Sequence, residues 1–66
     1  MKFHYFRTYD TLLDIERVDL FKIKQYNENL FAFLAYIEGK ELLLHKGTKQ
    51  ECDELMSQML NHTKHD

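Results

Sequence analysis

The 66-residue chain has no proline, no tryptophan, two glycines and one cysteine. So little proline and glycine excludes a linker or a low-complexity segment, which are built from those residues. A lone Cys52 excludes an internal disulfide and fits a reducing compartment. No apolar run approaches the about 18 residues needed to cross a bilayer. Met1-Lys2-Phe3-His4-Tyr5 has no apolar stretch of the kind a secretory signal carries. The chain is therefore expected in the cytoplasm, without a membrane partner. Neither charge dominates: nine Lys and Arg face eleven Asp and Glu, for a net charge of −2. That balance speaks against an extensive nucleic-acid or anionic-membrane footprint and leaves room only for a local patch. There is no glycine-rich phosphate loop, no closed set of metal ligands and no carboxylate pair that spacing forces together. No enzyme activity and no cofactor are expected.

What the chain does have is an apolar run at its middle, Leu30 to Ile37. In a strand, alternate residues point to opposite faces. Phe31, Phe33, Ala35 and Ile37 then share one face, and Leu30, Ala32, Leu34 and Tyr36 the other. Neither face is polar, which predicts a strand covered on both sides. A buried helix has the same short-range pattern. The aromatic content and the break at Glu38-Gly39-Lys40-Glu41 favour the strand, with Gly39-Lys40 as the two-residue turn of a hairpin.

Around this run the pattern predicts one domain over residues 1–66, with 61–66 a frayed tail. Residues 2–9 read as a first strand. A brief extended piece at 12–15 and a turn near Glu16-Arg17 follow. The second full strand covers 18–26, with Phe21 and Ile23 on one face and Leu20, Lys22, Lys24 and Tyr26 on the other. Asn27-Glu28-Asn29 connects it to the central run, its asparagines suited to left-handed backbone. Residues 41–46 form the next strand, with Leu42 and Leu44 opposite Leu43 and His45. Glu16, Arg17, Asp19 and Glu28 read as solvated charge.

Thr48-Lys49-Gln50-Glu51 has the spacing of a capping box, the most specific local signal in the chain. The helix it starts carries Cys52, Leu55, Met56, Met59 and Leu60 as one apolar stripe. The expected fold is α+β: a four-stranded antiparallel meander followed by one C-terminal helix on one sheet face, in the order ββββα. One helix covers one face. The other, still partly apolar, is expected to be covered by a second copy, because an exposed patch of that kind marks an interaction site. The residues that meet either the helix or the second copy are Phe31, Phe33, Leu34, Tyr36 and Ile37.

Three constellations could carry chemistry. His62 and His65, three apart beside Asp66, would form a chelating pair on a helix, but they lack a third fixed ligand and are read as no metal site. Cys52 lies near a helix start, where a thiolate is favoured, yet it also lies on the apolar stripe and is read as core. Lys22, Lys24, Tyr26 and Tyr36, with His45 and Lys46 near them, interleave basic and aromatic groups as single-stranded nucleic-acid binders do. The negative net charge favours reading the lysines as an ordinary solvated face.

The order Val18-x-x-Phe21-x-Ile23, Ala35-Tyr36-Ile37-x-Gly39 and Leu43-x-x-x-Gly47-x-x-x-Glu51, across residues 13–60, resembles short uncharacterised proteins of Gram-positive bacteria and their phages or plasmids. That resemblance implies fold rather than activity. The ββββα order is similar, at the level of fold alone, to the dimeric single-stranded-DNA-binding transcriptional coactivator family; this chain departs from it in having no dense basic strand. The expected function is a small cytosolic homodimer acting as a non-catalytic interaction or regulatory module with a protein partner. The alternative is a single-stranded nucleic-acid binder using Lys22, Lys24, Tyr26 and Tyr36.

Overall fold

A computed structural model describes residues 2–63, with the side chains of His62 and Thr63 outside that description. The fold is α+β, with antiparallel sheets and one C-terminal helix. Among the described residues it has five strands in two sheets, not a four-stranded meander. β1 (Phe3–Phe6) and β2 (Thr11–Asp14) form a two-stranded hairpin of their own. β3 (Leu20–Gln25), β4 (Phe31–Ile37) and β5 (Lys40–Gly47) form a three-stranded sheet with β4 in the centre. Helix α1 runs from Lys49 to Thr63.

The first expected strand is shorter than its apolar pattern because the chain turns back at Arg7–Asp10. The Asp10 amide donates to the Arg7 carbonyl, and Asp10 takes a left-handed φ of 53°. Asp tolerates that region better than most residues. The Tyr5 hydroxyl donates to the Asp10 carboxylate and braces the turn. The piece expected at 12–15 is then long enough to pair fully with β1. A single turn of 3-10 helix at Ile15–Arg17 follows, capped by Asp14, whose carboxylate accepts from the Glu16 amide.

The β4–β5 turn is centred on Glu38 and Gly39, not on Gly39 and Lys40. Ile37 pairs with Lys40, and φ is positive at both Glu38 (53°) and Gly39 (79°). Two successive positive φ values define a type I′ turn. Glutamate is a poor residue there, and neighbours hold it: the Glu38 amide donates to the Asp19 carboxylate at 3.1 Å. Asp19 is thus a turn brace rather than merely solvated charge. In the β3–β4 loop the Asn27 side chain accepts from the Asn29 amide at 2.8 Å. Neither Asn27 nor Asn29 takes the left-handed backbone expected of them; the Asx turn reverses the chain instead.

The helix begins as its capping box requires. Thr48 Oγ1 accepts from the Glu51 amide at 3.1 Å, and Glu51 Oε1 accepts from the Thr48 amide at 3.2 Å. Lys49 and Asp53 add an ion pair one turn apart, 2.9 Å. Cys52 and Met59 are fully buried and Leu55 and Met56 partly so, but Leu60 is 55% exposed and leaves the stripe.

α1 touches all three strands of the larger sheet, and the hairpin packs on the same side. The core lies between these layers: Phe6, Leu13 and Ile15 from the hairpin side, Phe33, Ala35 and Leu44 from the sheet, Cys52 and Met59 from the helix. Phe33 is its hub, stacked against Phe21 at 5.4 Å and Phe6 at 6.2 Å between ring centroids. The inward face of β4 is therefore Phe31, Phe33, Ala35 and Ile37, while Leu34 and Tyr36 face outward.

Candidate functional site

The outward face of the larger sheet is built by register. Lys22 pairs with Leu34, Lys24 with Ala32 and Leu20 with Tyr36 across β3 and β4. Lys46 pairs with Ala32 and Glu41 with Tyr36 across β4 and β5. Tyr26 follows β3, and its amide donates to the Leu30 carbonyl at 2.9 Å. Lys22, Lys24, Tyr26, Tyr36 and Lys46 thus share one surface. The Tyr26 ring has two ammonium groups beside it: Lys24 Nζ is 5.6 Å and Lys46 Nζ 5.0 Å from its centroid. Both lie within cation–π range.

Ala32 and Leu34 on this face are only 0% and 2% exposed within a single chain. Their cross-strand neighbours are Lys22, Lys24, Lys46 and Leu43, and a lysine stem covers apolar surface while its ammonium stays in water. So the centre of the sheet is shielded on both sides without a second helix. Leu20, 50% exposed, is the large aliphatic side chain left open there.

Charge is segregated. Among the described strand residues of the outward face, three lysines stand against one carboxylate, Glu41, which accepts a 2.7 Å bond from the Tyr36 hydroxyl. That bond raises the Tyr36 pKa above its usual value and keeps the phenol neutral. Glu51, Asp53 and Glu54 lie instead on the helix, across the core. A net charge of −2 for the chain does not describe this face.

His45 does not join the face. The register shifts between Phe33 and Leu34, whose partners are His45 and Leu43, leaving Leu44 as the extra residue of a β-bulge. A bulge re-aims side chains. Leu44 is fully buried in the core, and the His45 ring also lies on the inward side, between Thr8 and Glu51. Its Nδ1 meets Thr8 Oγ1, and its Nε2 meets Glu51 Oε1 at 3.0 Å. That bond, with the Thr48 amide, holds the Glu51 carboxyl below the usual carboxylate range. Gly47 makes the approach possible: a Cβ there would lie 1.9 Å from Glu51 Oε1 and 2.8 Å from His45 Nε2. The hydroxyl–imidazole–carboxylate line borders a cleft of about 350 Å³ between β1 and α1. Its observed work is structural, tying the hairpin turn to the bulge and to the helix cap. The Leu42-Leu43-Leu44 run, which cannot alternate cleanly, was the one sequence sign of the bulge.

Cys52 is fully buried, and burial followed by Asp53 and Glu51 pushes its thiol pKa up. Phe31, Phe33 and Ile37 belong to the inward face, and Leu34 and Tyr36 to the outward one. The His62/His65 pair lies outside the described side chains, and of the tail expected over 61–66 the described part, 61–63, continues helix α1. Among the described residues no group of three or more His, Cys, Asp or Glu could hold a metal. No described helix is long and apolar enough to cross a membrane. Compared with protein-family models, with curated proteins and with solved structures, the chain finds no match.

Proposed function

We propose that this chain is a non-catalytic binding module whose outward sheet face takes single-stranded nucleic acid. The observation that carries it is the pair Lys24 and Lys46 beside the Tyr26 ring, with Lys22 and Tyr36 on the same face and the acidic helix on the other side of the core. Lys22 and Lys24 are two residues apart on one strand, roughly 6.7 Å, so they present ammonium groups in a row. A row of cations beside exposed aromatic rings contacts phosphates and stacks bases at once. The self-pairing expected through this same face has less to drive it, since Ala32 and Leu34 are already shielded within one chain.

The test is a fluorescence-anisotropy titration with a short labelled oligothymidylate at low salt. Binding should weaken as salt rises, with a log–log slope of about −2 if three phosphates are neutralised at about −0.7 each. Lys22→Glu with Lys24→Glu should abolish it while leaving the circular dichroism spectrum unchanged. No binding at low salt, or binding indifferent to that double substitution, rejects the assignment.

A further inference from the structure

We infer that a second copy of this chain docks on the outer side of the β1–β2 hairpin, a surface separate from the lysine–tyrosine face. Pairing of Tyr5 with Leu12 and of Phe3 with Asp14 places these four on the side of the ribbon away from the core. Phe3, Tyr5 and Leu12 are 52%, 51% and 65% exposed. Beside them opens a depression of about 270 Å³, lined by Phe3, Leu12, Leu13, Asp14, Arg17 and Ile37. A two-stranded ribbon is marginal by itself and gains from cover on both faces. A chain this short also leans on association for stability.

The occupant follows from charge. The rim of the depression carries one acid, Asp14, and one base, Arg17. A two-fold axis brings each residue of a self-complementary patch to its counterpart, so Asp14 of one copy meets Arg17 of the other, twice. An oppositely charged foreign surface would favour a rim of one sign. Arg17 is available for the exchange: its contact with Glu38 is 3.4 Å long between exposed groups, a pair worth little. Leu12, the most exposed of the three, stands at the edge of the depression and fits the matching depression of the second copy.

Sedimentation equilibrium of the full chain over a wide concentration range tests this. The native chain should show reversible dimerisation. Leu12→Glu should raise the dimer dissociation constant by at least about 30-fold, the effect of losing a central anchor. Arg17→Glu should raise it less, and the weakening should diminish at high salt. Both positions are exposed, so each variant should keep the native circular dichroism spectrum, and its melting temperature should fall only by what the lost association contributed. Lys22→Glu with Lys24→Glu should leave the dimer intact, which separates this surface from the nucleic-acid face. A native chain that stays monomeric at every concentration overturns the inference and leaves the patch to another partner. A dimer unmoved by either Leu12→Glu or Arg17→Glu overturns it by placing the interface elsewhere.

Discussion

Phe33 and Leu34 are neighbours on β4, and both are buried, yet they are buried in different ways. Phe33 is enclosed between two stacked rings and under two covering layers. Leu34 lies outside the core cluster, flanked in register by Lys22 and Leu43. One side of the sheet is a packed interior; the other is a thin apolar seam shielded by the stems of charged residues. The difference shows how a three-stranded sheet with helix and hairpin on one side can stay in water. It also leaves the outward ammonium groups at the water surface.

Truncating the two neighbours should expose the contrast. Phe33→Ala should cost about 3–5 kcal/mol, the range for a buried aromatic that leaves a cavity, and should leave so small a domain near unfolding. Leu34→Ala should cost about 2 kcal/mol, because a shallow site beside mobile lysines can collapse or hydrate and leaves little cavity penalty. Urea unfolding of both variants measures this. Equal costs would mean that the outward side is sealed as tightly as the inward one.

Smaller effects test the link between the hairpin and the helix cap. Thr48→Ala should cost about 1 kcal/mol by removing one half of the capping box. Gly47→Ala should lower the melting temperature by pushing the Glu51 carboxylate off both His45 and the Thr48 amide. Combined, the two should cost less than the sum of each alone, because both act on one cap. Strict additivity would separate the His45 line from the helix start.

The smallest expected effect is on pH dependence. Glu51 has a lowered pKa in the folded chain, caused first by His45 and then by the Thr48 amide. Its stabilisation is therefore complete above the pKa of an unpaired glutamate and is lost as the pH falls through the lower folded value. Glu51→Gln should flatten the acid limb of the stability–pH curve and leave its neutral part nearly parallel to that of the native chain. An unchanged acid limb would remove Glu51 from the account.

The helix and the central strand were determined locally. Thr48 and Glu51 satisfy each other's amides within four residues, so the helix start needs no distant partner. The apolar run Leu30–Ile37 suits the middle of a sheet whatever surrounds it. The lysine–tyrosine grouping on β3 was likewise legible, because a strand's two-residue period fixes which side chains share a face. Which of β4's two apolar faces turned inward was decided only by the tertiary structure. So were the separation of the hairpin into its own sheet and the bulge that carried His45 away from Lys46. Each depends on groups far apart in sequence: Phe6 stacking on Phe33, and Thr8 and Glu51 closing on His45. Local preference cannot rank two faces of similar hydrophobicity; only the layers that pack against them can.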